Sequence, residues 1–137
     1  MRTIALRITL GVVAAFQIVL ALGFLLAPGP FADALGLAPV TGWAHWMFAM
    51  FSARALGFAY GLVLAIRDPL RHRSWIVAMI GVQFIDWVAT VIAIAGGAIT
   101  LAQATTASFM PVIFIVLLIA CFPRRSAVVE ASVAETV

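Results

Sequence analysis

Four stretches of the chain, residues 4–27, 43–66, 74–94 and 99–122, are almost wholly apolar and carry at most one Asp, Glu, Lys or Arg apiece. A hydrocarbon layer about 30 Å thick is crossed by roughly 20 helical residues, so each stretch is long enough to span it. Backbone polar groups find no water there, and a helix satisfies them internally. The reading is an all-α integral membrane protein: a four-helix bundle forming one domain over residues 1–125, followed by a mobile cytoplasmic tail at 126–137. With 66% hydrophobic and 9% charged residues, no segment is polar enough to make a separate soluble domain.

The connections support an up-and-down order. Pro28-Gly29-Pro30 breaks the first helix, and the run from Phe31 to Leu37 is expected at the membrane interface. Arg67-Asp68-Pro69-Leu70-Arg71-His72-Arg73 is short, charged and interrupted by proline, which predicts an antiparallel hairpin of the second and third helices. Seven of the eight basic residues (Arg2, Arg7, Arg67, Arg71, Arg73, Arg124 and Arg125) then share one side, and the first and third loops hold none. Positive charge stays cytoplasmic, which predicts both termini inside. Trp43, Trp46 and Trp75 suit the two aromatic belts. A cleaved secretory signal is the competing reading of the first stretch, but signal cores span about 7–15 residues and this one is longer.

All eight basic residues are arginines, seven of them toward the ends of apolar runs, without a basic stripe, so nucleic acid is not an expected partner; the lipid bilayer is. Cys121 is the only cysteine, which excludes an intrachain disulfide and a cysteine-rich metal site.

Arg54 and Asp86 fall inside predicted spans, where an isolated charge costs about 2.5–3.5 kcal/mol at mid-membrane. Arg54 stands as far before Ile66 as Asp86 stands after Ser74, so in a hairpin they share a depth. An ion pair buried between the second and third helices is the economical expectation. Gln83 and Thr90 lie three and four residues from Asp86 and extend it into a polar stripe expected to face inward. Gly57 and Gly61 lie on the Arg54 side of the second helix, a spacing that permits close approach. Gln17, mid-way along the first span, is a candidate third member of the cluster. In the fourth span, Thr105, Thr106 and Ser108 precede Pro111, which is expected to kink the helix. Two readings stay open for Arg54, Asp86, Gln83, Thr90 and Gln17: an architectural pair fixing helix register, or a ligand or proton pathway.

No catalytic residue, cofactor or metal site is assigned. The chain lacks a phosphate-binding glycine loop, His-Glu-x-x-His, Gly-x-Ser-x-Gly and Cys-x-x-Cys. His45 and His72 are predicted on opposite sides of the membrane and cannot share a haem, and Tyr60 is turned away from Arg54. Leu-Leu-Ala-Pro at the end of the first helix, Ala-Leu-Gly-Leu, Ala-Arg-Ala-Leu-Gly-Phe-Ala-Tyr-Gly and Arg-Asp-Pro together resemble small DoxX-like bacterial membrane proteins. The resemblance implies a compact bundle in the bacterial inner membrane that works beside other proteins, in one branch with quinone-linked oxidation of sulfur compounds. Three functions follow as expectations: a membrane subunit or accessory protein of a membrane complex; a binding or transport module for a lipophilic or anionic small molecule or a proton; and a quinone-linked oxidoreductase subunit. Besides the bilayer, the expected partner is another membrane protein or, as the alternative, a second copy in a homo-oligomer.

Overall fold

The computed structural model describes residues 2–37 and 39–123, so the expected tail at 126–137 lies outside the described residues. Every regular element among them is helical. Three helices are long and apolar enough to cross a membrane: α1 (Arg2–Leu26), α3 (Gly42–Arg67) and α4 (Arg73–Ala95). Their ends fall within two residues of the first three predicted spans.

The helix stops follow from local chemistry. Asp68 ends α3 with extended backbone (φ −137°, ψ 90°), the conformation that the following Pro69 imposes on its predecessor. Gly97, at φ +72°, ends α4: its N–H donates to the Ile94 carbonyl at 3.0 Å, and Ala98 N–H to that of Ala93 at 2.9 Å. A side chain at that φ would be strained, so glycine fits the position. The run predicted at the interface includes a short helix, α2 (Pro28–Ala34), folded back onto the end of α1. Phe31 covers Gly23 there, where a Cβ would overlap its ring, and meets Phe24 edge-on at 5.0 Å.

The fourth span, expected over residues 99–122 with a kink at Pro111, is interrupted more fully than a kink. It divides into α5 (Leu101–Ala104), a 3-10 turn (Thr105–Ser108) and α6 (Met110–Ala120), with Phe109 off helical geometry at φ −130°, ψ −30°. Pro111 explains the division. It has no N–H to donate and its ring conflicts with a carbonyl four residues back, so it is accommodated in the first turn of a new helix. At 11 residues, α6 is about 16 Å long. The Trp87 indole N–H of α4 donates to the Ser108 carbonyl at 3.2 Å, supplying a partner where the helix is interrupted.

The helices form a ring in chain order, with α1 beside α3, α3 beside α4, α4 beside α6, and α6 beside α1. One buried cluster joins all four: Leu6, Leu10, Val13 and Ala14 with Leu62, Ala65, Ile76, Met79, Phe114 and Leu118. These residues gather in the half of the bundle that contains the α3–α4 loop. α1 and α3 pack along their whole length, from Arg7, whose guanidinium donates to the Arg67 carbonyl at 3.4 Å, to Phe24, stacked on Phe48 at 4.3 Å. Buried Ala14, Ala21, Ala55 and Ala59 let the two backbones approach, the packing that serves where lipid is as apolar as leucine.

Candidate functional site

α3 and α4 meet near their loop through one aromatic side chain. The Trp75 ring lies against Gly61, where any Cβ would overlap it, and stands edge-on to Phe58 at 6.2 Å. Leu62, Ala65, Ile76 and Met79 complete the contact at that end. Farther from the loop, α4 turns its packing surface to α6 and the 3-10 turn.

That arrangement separates the predicted pair. Arg54 and Asp86 are both exposed, and neither side chain makes a hydrogen bond or ion pair with a described residue. The buried ion pair expected from their depths is therefore not formed within this chain. Depth is matched, since Arg54 stands as far from the end of α3 at Arg67 as Asp86 does from the start of α4 at Arg73. They do not meet: the ring contacts between the two helices, Trp75 with Gly61 and with Phe58, lie toward the loop end, and Arg54 and Asp86 lie beyond them, exposed. Arg54 is seven residues before Gly61 and Asp86 seven after Met79, so each charge continues the line along which its helix meets the other. Both flank the α3–α4 seam where it opens.

The polar stripe expected on α4 divides as well. Gln83 turns inward and is 7% exposed, whereas Asp86 stays at the surface. The Thr90 hydroxyl donates to the Asp86 backbone carbonyl at 2.8 Å, a bond within α4 that leaves the carboxylate untouched. Gln17 is buried, but its partner is neither charge: Nε2 of Gln17 and Nε2 of Gln83 both donate to the Met79 thioether, at 3.8 and 3.5 Å. Sulfur is a weak acceptor, and here it links polar side chains of α1 and α4 inside the ring.

Two polar features escape the sequence reading. Met79 counts there as an apolar residue, and only its place one turn before Gln83 hints at an acceptor. Ser52 is fully buried on α3, and its Oγ makes no hydrogen bond with a described residue. The antiparallel register set by Phe24 on Phe48 and Arg7 on Arg67 places it opposite buried Ala21. Ser52 falls in the line of small residues through Ala55 and Ala59, which is the signal that could have assigned it to the α1 interface.

His45 pairs its Nδ1 with the Thr41 carbonyl at 3.1 Å near the start of α3, and His72 lies beyond the far end of that helix. Two clefts sit at opposite ends of the bundle. One of 310 Å³ is lined by Thr3, Leu6, Pro69, Leu70, Cys121, Phe122 and Pro123, and one of 260 Å³ by Phe24, Met47, Phe48 and Phe51. Neither is lined by Arg54, Asp86, Gln83, Thr90 or Gln17. Compared with protein-family models, curated proteins and solved structures, the chain has no significant match.

Proposed function

We propose that this chain is a small membrane subunit or accessory protein that acts through helix contacts with another chain inside the bilayer. The observation that carries the reading is the pair of exposed charges, Arg54 and Asp86, midway along apolar helices and without a partner among the described residues. Left to lipid they would cost about 5–7 kcal/mol together, a large share of the stability of a small domain. Arg54 is too central in α3 for its three-methylene stem to reach an interface about 15 Å away. A neighbouring chain offering opposite charges removes the cost. In this reading the divided fourth segment makes a fourth crossing against α4, and the arginine-rich side, with both termini, faces the cytoplasm of a bacterial inner membrane. The resemblance to DoxX-like proteins, which work beside other proteins, points the same way.

Size in a native-like bilayer tests the reading. After mild extraction into lipid nanodiscs, the wild type is expected in an assembly larger than one chain. The Arg54→Leu/Asp86→Leu variant, which removes both charges at once, is expected to stay folded and run as a single chain. A wild type that is itself a single chain defeats the proposal.

The open seam favours a second reading, in which a lipophilic anion or a proton enters between α3 and α4 toward Gln83 and Gln17. It requires a small-molecule adduct on the wild type that Asp86→Asn loses.

A further inference from the structure

We propose that the neighbouring chain is a second copy, and that two copies related by a two-fold axis along the membrane normal exchange Arg54–Asp86 pairs. The inference rests on the subunit reading above and names its partner.

Geometry supplies the first argument. Copies of one chain insert in the same orientation, because each obeys the same distribution of arginines. Rotation about the membrane normal leaves every residue at its own depth, so a symmetric contact joins only residues of equal depth. Arg54 and Asp86 meet that condition: each is about 20 Å from the loop end of its helix. Charge supplies the second. One chain presents one cation and one anion on either side of a single open seam, and a two-fold contact across it makes two pairs with no charge left over. A different protein would have to carry an anion and a cation at the same depth and spacing. Room supplies the third. Gly57, three residues from Arg54, is exposed with no atom near the position of a Cβ, and Ala89, three residues from Asp86, is also exposed. Small residues beside both charges let backbones close to the distance at which a guanidinium and a carboxylate form two parallel hydrogen bonds.

Pairing between chains and pairing within one chain are told apart by complementation. Chains with two different tags are co-expressed, and the mixed dimer is measured by sequential affinity capture and native mass spectrometry. Arg54→Glu alone sets like charges together at both contacts, as does Asp86→Arg alone, and each is expected to lose dimer by about tenfold or more. Co-expressing the two single variants restores opposite charges at both contacts of the mixed dimer and is expected to bring it back to near the wild-type level. The double variant Arg54→Glu/Asp86→Arg should also dimerise. If the double variant behaves as wild type while the co-expressed singles stay monomeric, the pair closes within one chain and the proposal is overturned. A wild type bound one-to-one to a different protein overturns the second copy but keeps the subunit reading; a solitary wild-type chain ends both. Should a reversed variant fail to insert, the wild-type stoichiometry still decides, since anything other than two copies contradicts the two-fold contact.

Discussion

Met79 is fully buried and accepts from two amides that have few alternatives in an apolar interior. Met to Leu conserves volume and in a core without polar neighbours costs less than about 1.5 kcal/mol. Here Met79→Leu also removes the acceptor shared by Gln17 and Gln83, and a further loss of about 1 kcal/mol is expected. Thermal unfolding in nanodiscs should show the loss, and replacing both glutamines by Leu in the same background should recover most of it. An unchanged midpoint in Met79→Leu would mean that the sulfur does not hold the amides. Ser52 behaves in the opposite sense. Its Oγ is buried without a hydrogen bond to any described residue, so Ser52→Ala is expected to relieve a desolvated hydroxyl, a gain of about 1 kcal/mol. A drop in stability on Ser52→Ala would reveal a bond to that hydroxyl.

The elements divide between those that hydropathy reads and those it does not. α1, α3 and α4 are legible because length and apolarity alone define a membrane helix, and Pro69 and Gly97 mark where two of them stop. The fourth segment is equally apolar, yet Pro111 divides it; a hydropathy window registers no lost donor, and a kink and a break share one sequence signal. Depth along α3 and α4 is likewise legible for Arg54 and Asp86, since a helix rises by the same increment at every residue and counting suffices. Whether they meet depends on tertiary packing such as the Trp75 ring on Gly61, which spacing alone cannot supply. That contact carries its own prediction. Gly61→Ala forces a methyl group into a rigid ring and is expected to destabilise the bundle by about 1–3 kcal/mol. Trp75→Ala/Gly61→Ala should cost less than the two single losses added, and strict additivity in a double-mutant cycle would show that the two residues do not touch.

At the scale of the whole molecule, the bundle is closed at its loop end by a four-helix cluster, while Arg54 and Asp86, exposed on α3 and α4, have no partner among the described residues. A self-contained bundle in lipid would have no use for either charge, while an assembling one uses both to fix partner, depth and register. Native mass spectrometry of the wild-type protein, released with its own lipids, tests this most directly. Two copies of the 14.6 kDa chain give a particle of about 29 kDa, which is the predicted result. A 14.6 kDa particle carrying no other protein would contradict the account, because the two charges would then be satisfied without any neighbouring chain.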